Sequence, residues 1–284
     1  MAIYGQPNSW TCGPFALKHA LLALGVFAPE DDLARLAGST EERGTDEPGL
    51  RRAARAYGTD LLLVRKARPG PARRELEGWL ARGVPVLLCV DQWEHWLTAV
   101  AAYDGQVVVF DSKYDAPLRT EPWGTLMERL LCRRGYLRGW WTRSLYDLHP
   151  VVPLGSARFR LRLDGGRASR LVEGTTALAR RWDEYARALF PLAVARGEAK
   201  PDLERFIESR RSAILDQATP VAADGLRSRA AQVVDALAFT AGLYGATLRP
   251  ELEADAVRRL AGIVAEFVAR DPGLPGTGGE AAAA

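Results

Sequence analysis

The chain has 284 residues, 48% of them hydrophobic, and sets 38 basic side chains against 35 acidic ones for a formal net charge of +3. That length holds one large domain or two ordinary ones with ample apolar material for a core. So balanced a charge gives no electrostatic basis for binding nucleic acid or a membrane surface, and three cysteines without metal-type pairing indicate neither a disulfide framework nor a zinc site.

The amino terminus shows neither the basic nor the apolar region of a secretion signal, and no later stretch stays apolar long enough to cross a bilayer, so a cytoplasmic protein is expected. The loop Gln6-Pro7-Asn8-Ser9-Trp10-Thr11 leads into Cys12-Gly13-Pro14, and apolar residues then recur at helical spacing from Phe15 to Leu24, where Gly25 stops the helix. Pro14 suits a first helical turn. Cys12 is thereby predicted at the amino end of a helix, where free N-H groups and the helix dipole favour an anion.

A short helix is expected over 29–36, a polar loop over 38–45, and a helix capped by Thr45 or Asp46 and ended by Gly58. A strand over 60–64 and a helix over 72–81 follow. The continuously apolar run 84–90 reads as a strand buried on both faces, with Cys89 in the core. Asp104-Gly105 between two further apolar runs signals a hairpin, opened by His95 and closed by Asp111. A regular two-residue turn there pairs Thr98 with Asp111 and sends His95 and Asp111 to opposite faces. A bulge or a longer loop is needed to bring them to one face.

Beyond the hairpin a helix is predicted over 122–132 and a strand around 136–146, with His149 as an exposed linker residue before Pro150. Trp93, Trp96, Trp123, Trp140 and Trp141 fall in this half, as core packing or as the wall of a peptide groove. Residues 157–166 alternate arginine with apolar side chains, the pattern of a strand with one wet face. Long amphipathic helices come next, one of them interrupted at Pro191, and residues 271–284 read as a disordered tail. The organisation expected is α+β: a catalytic domain over 1–150 and a mainly helical domain over 151–270.

Gln6, Cys12, His95 and Asp111 together supply an oxyanion donor, a nucleophile, a general base and a carboxylate to orient it. His19, two helical turns from Cys12, lies beyond hydrogen-bond reach of it. At these residues, namely Gln6, Thr11-Cys12-Gly13-Pro14, Gly83-Val84-Pro85-Val86, His95, Tyr103-Asp104 and Asp111, the sequence resembles the C39-like, papain-like cysteine peptidases over about residues 1 to 150. The resemblance implies a papain-like fold with the nucleophile on a central helix and the base on the facing sheet. It implies Gln6 as oxyanion glutamine, Cys12 as nucleophile, His95 as base and Asp111 as the group that fixes the imidazole. Ser112 stands where the family often carries a proline after the aspartate. The expected activity is cleavage of a peptide or amide bond through a thioester, with no cofactor and no metal. The alternatives are an acyltransferase using the same Cys-His pair and a silent peptide-binding module. The expected partner is a peptide or amide substrate, with a protein partner for the helical half as a further expectation.

Overall fold

The computed structural model describes residues 3–135, 142–155, 159–173, 176–195, 202–219 and 224–270. Contacts divide the chain into two compact units, Met1–Asp183 and Glu184–Ala284. The first unit runs past residue 150, the boundary expected from sequence. The segment after it returns to the first unit, where the Leu161 N-H bonds the Ala23 carbonyl at 2.7 Å and the Arg160 side chain bonds the Arg82 carbonyl.

In the first unit three helices come first: α1 (Cys12–Ala23), α2 (Glu30–Ala37) and α3 (Glu47–Ala56). The amphipathic stripe expected of α1 is only half the picture, since all twelve of its residues are buried. It is a central helix, and Gly25, at φ +70°, ends it. Asp46 caps α3 by accepting from the Gly49 N-H at 2.7 Å, a contact of the kind that contributes about 1 kcal/mol. The strand expected over 60–64 is two short ones, β1 (Thr59–Leu61) and β2 (Val64–Lys66).

After α4 (Pro69–Ala81) come β3 (Val86–Val90), β4 (His95–Tyr103), β5 (Gln106–Phe110), β6 (Leu118–Pro122), α5 (Trp123–Leu130), β7 (Cys132–Gly135) and β8 (Thr142–Pro153). The strands form one antiparallel sheet in the order β1-β8-β3-β4-β5-β6, with β2 and β7 also paired to β8. Period-two alternation divides the apolar side chains between two layers. Leu87, Cys89, Trp96 and Val151 join the core made with α1, α2 and α3, while Val86, Leu88, Val90, Leu97 and Ala99 join the one made with α4 and α5.

Two expectations need correction here. His149 is no exposed linker residue: it lies within β8 opposite Leu87, buried on the inner part of the sheet, with its ring edge against Trp96 at 5.0 Å between centroids. Continuing β8 through Pro150 to Pro153 is what buries it. The alternating arginine stretch forms no strand over its described residues, although Phe159 and Leu161 are buried and Arg160 and Arg162 exposed as the alternation requires. Leu161 docks on the end of α1 instead of pairing with a strand. Trp93, Trp96 and Trp123 are packed into the two cores. Trp140, Trp141 and the tail 271–284 lie outside the described residues.

The first unit also carries α6 (Gly165–Glu173), and α7 (Thr176–Leu189) follows it. α7 stops at a 3-10 turn, Phe190–Leu192, where Pro191 was expected to break it. The second unit continues with β9 (Ala193–Ala195), α8 (Leu203–Ser209), α9 (Arg211–Ala218), α10 (Asp224–Leu243), β10 (Ala246–Leu248) and α11 (Ala256–Arg270). It is mainly helical and has its own core, including Val233, Val234, Leu237, Leu260, Val264 and Phe267. No helix among the described residues is long and apolar enough to cross a membrane.

Candidate active site

Cys12 is the first residue of α1, delivered by a loop that winds around one side chain. Asn8 Oδ1 accepts from the Trp10 N-H, the Thr11 N-H at 3.0 Å and the Thr11 hydroxyl at 2.8 Å. No side chain caps α1. The Cys12 and Gly13 N-H groups start the helix beside the thiol, and the helix dipole adds partial positive charge there. The helix is fixed to the strand that carries His95 by the Thr98 hydroxyl, which donates to the Ala16 carbonyl at 2.6 Å. Trp96 Nε1 holds the neighbouring wall by donating to the Thr45 carbonyl. Gly13 is needed at that wall, since a Cβ there would sit 2.7 Å from Thr45 Cβ.

The hairpin contains the irregularity that the pairing required. Asp104 and Gly105 both have positive φ and make the two-residue turn, and Tyr103 faces Gln106. Between Ala99 and Ala101 the register shifts, so that Val100 is an extra residue on β4 and Thr98 pairs with Phe110. This moves Asp111 on to the level of Leu97, on the face that His95 occupies. His95 Nε2 then lies 2.7 Å from Asp111 Oδ1, both side chains being buried. The Cys12 side chain lies beside the same imidazole and favours its charged form, and with Nε2 engaged by Asp111 the other ring nitrogen is the one free to meet it.

Burial alone would lower the His95 pKa, but the bond to Asp111 and the contact with Cys12 outweigh it, and the ring is raised from 6.5 to about 9. The direction favours the charged ring, which donates from both nitrogens. Burial pushes the Asp111 carboxyl up, and its bond to His95 together with the charge of Arg129 more than offsets this, leaving it below the ordinary carboxylate range.

Gln6 sits between the Cys12 loop and the Asp111 segment. Its backbone N-H bonds the Ser112 carbonyl at 2.8 Å, its Nε2 donates to the Asn8 carbonyl, and its Oε1 accepts from the Ser112 hydroxyl at 2.7 Å. With the amide oxygen held by Ser112, the second Nε2 hydrogen is left for an acceptor. A cleft of about 540 Å³ opens beside this loop, with Trp10, Thr11, Phe15 and Ala34 in its walls.

Three contributors have no counterpart in the sequence reading: Asn8, Ser112 as a partner of Gln6, and Arg129, which bonds Asp111 Oδ2 at 3.1 Å. Ser112 had a sequence signal, the departure from the family's proline, whereas Arg129 belongs to no motif. The segment entering His95 is also unusual, because Asp91, Gln92 and Trp93 all have positive φ, between 55° and 72°. Each such non-glycine residue costs on the order of 1–3 kcal/mol, and persists only where surroundings fix it. His19 lies fully buried on α1, stacked on Phe110 at 4.9 Å, with neither ring nitrogen hydrogen-bonded, and contributes no contact to the site. Among the described residues no three His, Cys, Asp or Glu side chains gather as a metal set.

No family model matches the sequence. An uncharacterized protein of Methanothermobacter marburgensis is 44% identical over 63 residues, which is 22% of this chain and 44% of that protein, so the chain spans less than half the length of this curated relative. Among solved structures, the chain is similar to a double glycine motif protease from an AMS/PCAT transporter in complex with the leader peptide, at a TM-score of 0.40 and 14% identity, over 53% of this chain and 90% of that one. It is also similar to the peptidase domain of Streptococcus ComA, a bi-functional ABC transporter involved in quorum sensing, at 0.40 and 15% over 54% and 98% of the two chains. The peptidase domain of Streptococcus mutans ComA gives 0.35 and 12% over 54% and 100%.

Proposed function

We propose that this chain is a cysteine peptidase or amidase in which Cys12, His95, Asp111 and Gln6 carry the chemistry. The observation behind this reading is a single buried imidazole in contact with both a helix-terminal thiol and a carboxylate. Cys12 sulfur, as thiolate, attacks the carbonyl carbon and the carbonyl oxygen takes the negative charge. The Cys12 N-H and the Gln6 Nε2-H receive that oxyanion, a type of contact worth roughly 3 kcal/mol per donor. As the C-N bond breaks, the His95 imidazolium gives its proton to the leaving amine, and a thioester remains. Water then attacks the thioester while neutral His95 takes its proton. The acid departs, and the thiolate-imidazolium pair is restored. Asp111 keeps the ring in the orientation that serves both steps.

The test is mass spectrometry of the protein incubated with a peptide library in ¹⁸O-labelled water. The expected result is an acyl adduct on Cys12 and a product carboxyl carrying the label. An unlabelled amide formed with an added amine would make the protein an acyltransferase, and an unmodified Cys12 with intact peptides would leave only a binding module.

Ser112 gives a sharper prediction. Ser112→Ala frees the Gln6 amide to turn, so kcat falls about tenfold with little change in KM, less than the 10²- to 10³-fold expected for Gln6→Ala. In the Gln6→Ala background the Ser112 change has no further effect, because the two residues act as one unit. Additive losses in steady-state kinetics would refute the coupling.

A further inference from the structure

Arg129, on α5, lies behind the site and takes no part in the chemistry set out above. Its guanidinium makes four contacts to three carboxylates: Nη2 to Asp111 Oδ2 at 3.1 Å, Nε and Nη2 to the two oxygens of Asp91 at 3.1 and 3.0 Å, and Nη1 to Glu121 Oε1. The backbone is tied in as well, since the Asp91 N-H bonds the Arg129 carbonyl at 2.8 Å. These contacts reach His95 by two separate routes. One runs through Asp111, whose Oδ1 takes His95 and whose Oδ2 takes Arg129, so that the carboxylate is held at both ends. The other runs through the chain: Asp91 is the first of the three positive-φ residues, and His95 opens β4 directly beyond the turn they form. Gln92 supports the same turn, its amide donating to the Leu131 carbonyl and accepting from the Arg133 N-H. A run of left-handed non-glycine backbone persists only where its surroundings over-determine it.

The geometry points to Arg129 as a positioning residue that sets the angle of the His95 ring from both sides, by clamping its carboxylate partner and by holding the strained turn that precedes it. This rests on the peptidase reading of Cys12 and His95. The fork matters and not only the charge: a planar guanidinium bonds Asp91 and Asp111 simultaneously, whereas a lysine ammonium on a flexible stem matches that geometry poorly. Three carboxylates around one cation leave the cluster with an excess of negative charge once the cation is removed, which displaces Asp111 from its bond to His95.

The experiment compares Arg129→Met, Arg129→Lys and Asp91→Asn in the full chain, with His95→Ala as reference. Three quantities are read: the low-field N-H proton resonance of the His95-Asp111 bond, the rate of Cys12 alkylation by iodoacetamide at pH 7, and the melting temperature. Arg129→Met should lose the resonance and slow alkylation at least tenfold. Arg129→Lys should fall in between, and Asp91→Asn, which loosens only the turn, should slow alkylation severalfold while keeping the resonance. A residue that merely packs would lower the melting temperature and leave the resonance and the rate of the folded protein unchanged, and that result overturns the proposal. If Arg129→Met does not fold, Arg129→Lys and Asp91→Asn decide the matter by the same two readouts. Alkylation needs no substrate, so the two ideas fail differently. A wild-type rate unchanged by His95→Ala removes the peptidase reading, whereas a rate that falls with His95→Ala but not with the Arg129 and Asp91 variants removes only the role of Arg129.

Discussion

His95→Ala should slow the acylation of Cys12, and its alkylation at neutral pH, by 10²- to 10⁴-fold, the range that a positioned acid-base group contributes, and Cys12→Ala should abolish turnover. Both side chains are buried, so loss of stability has to be separated from loss of chemistry by measuring thermal unfolding of each variant alongside the rate. The pH dependence carries the more specific signature. His95 is raised to about 9, with its own burial opposed by Asp111 and Cys12. A group raised in this way stabilises the fold fully below its unfolded value near 6.5, and the stabilisation disappears as pH climbs through about 9. In the proposed mechanism the imidazolium that protonates the leaving amine disappears over the same interval. Activity should therefore persist through neutral pH and fall above about 9. Asp111→Asn removes the carboxylate that holds the ring charged and should bring that alkaline limb to lower pH. An alkaline limb at the same pH in wild type and Asp111→Asn would contradict the ion pair.

Acid should destabilise the protein steeply, through a residue with no part in the chemistry. His19 is fully buried against Phe15 and Phe110, and burial first, the charge of Lys18 second, lower its pKa from 6.5 to about 3 against the opposing pull of Asp111. The folded state therefore refuses a proton that the unfolded chain accepts below pH 6.5. Each unit of acidification from there costs about 1.4 kcal/mol, or roughly 5 kcal/mol by pH 3. His19→Phe removes the titration and both unpaired nitrogens while keeping a ring of similar size against Phe110. Its stability at pH 7 should equal or exceed wild type, because an apolar group of the same shape replaces an unsatisfied polar one. Urea unfolding at pH 7, 6 and 5 checks this: the gap between the variant and wild type should widen as pH falls. Parallel curves would mean that His19 is protonated in the fold or reached by solvent.

Much of this site was legible in sequence, for physical reasons that differ by residue. Pro14 and Gly25 bracket α1 because each has a backbone preference that acts locally, and Asp104-Gly105 marks its turn in the same way. The geometric condition on the hairpin could be stated from residue counting alone, because the side-chain period of a strand is two. Where the chain would meet that condition could not be read, since nothing in Ala99-Val100-Ala101 marks a bulge: all three are apolar and suit a regular strand. His149 was misjudged because the residue before a proline at the end of an apolar run reads as a boundary, and only the neighbouring strands show that β8 continues to Pro153. Arg129 was invisible for another reason. An arginine on a helix is ordinarily a solvated charge, and its three acidic partners are brought to it by tertiary folding.

The shift at Val100 means that the alignment of His95 with Asp111 is stored in arithmetic and not in chemical identity. Any apolar side chain of suitable size can occupy that position, since what it contributes is one unit of chain. A single-codon deletion at the bulge would leave His95 and Asp111 both in the sequence and still turn one of the pair away from the other. In this hairpin the number of residues matters to the site more than which apolar residue stands at the bulge.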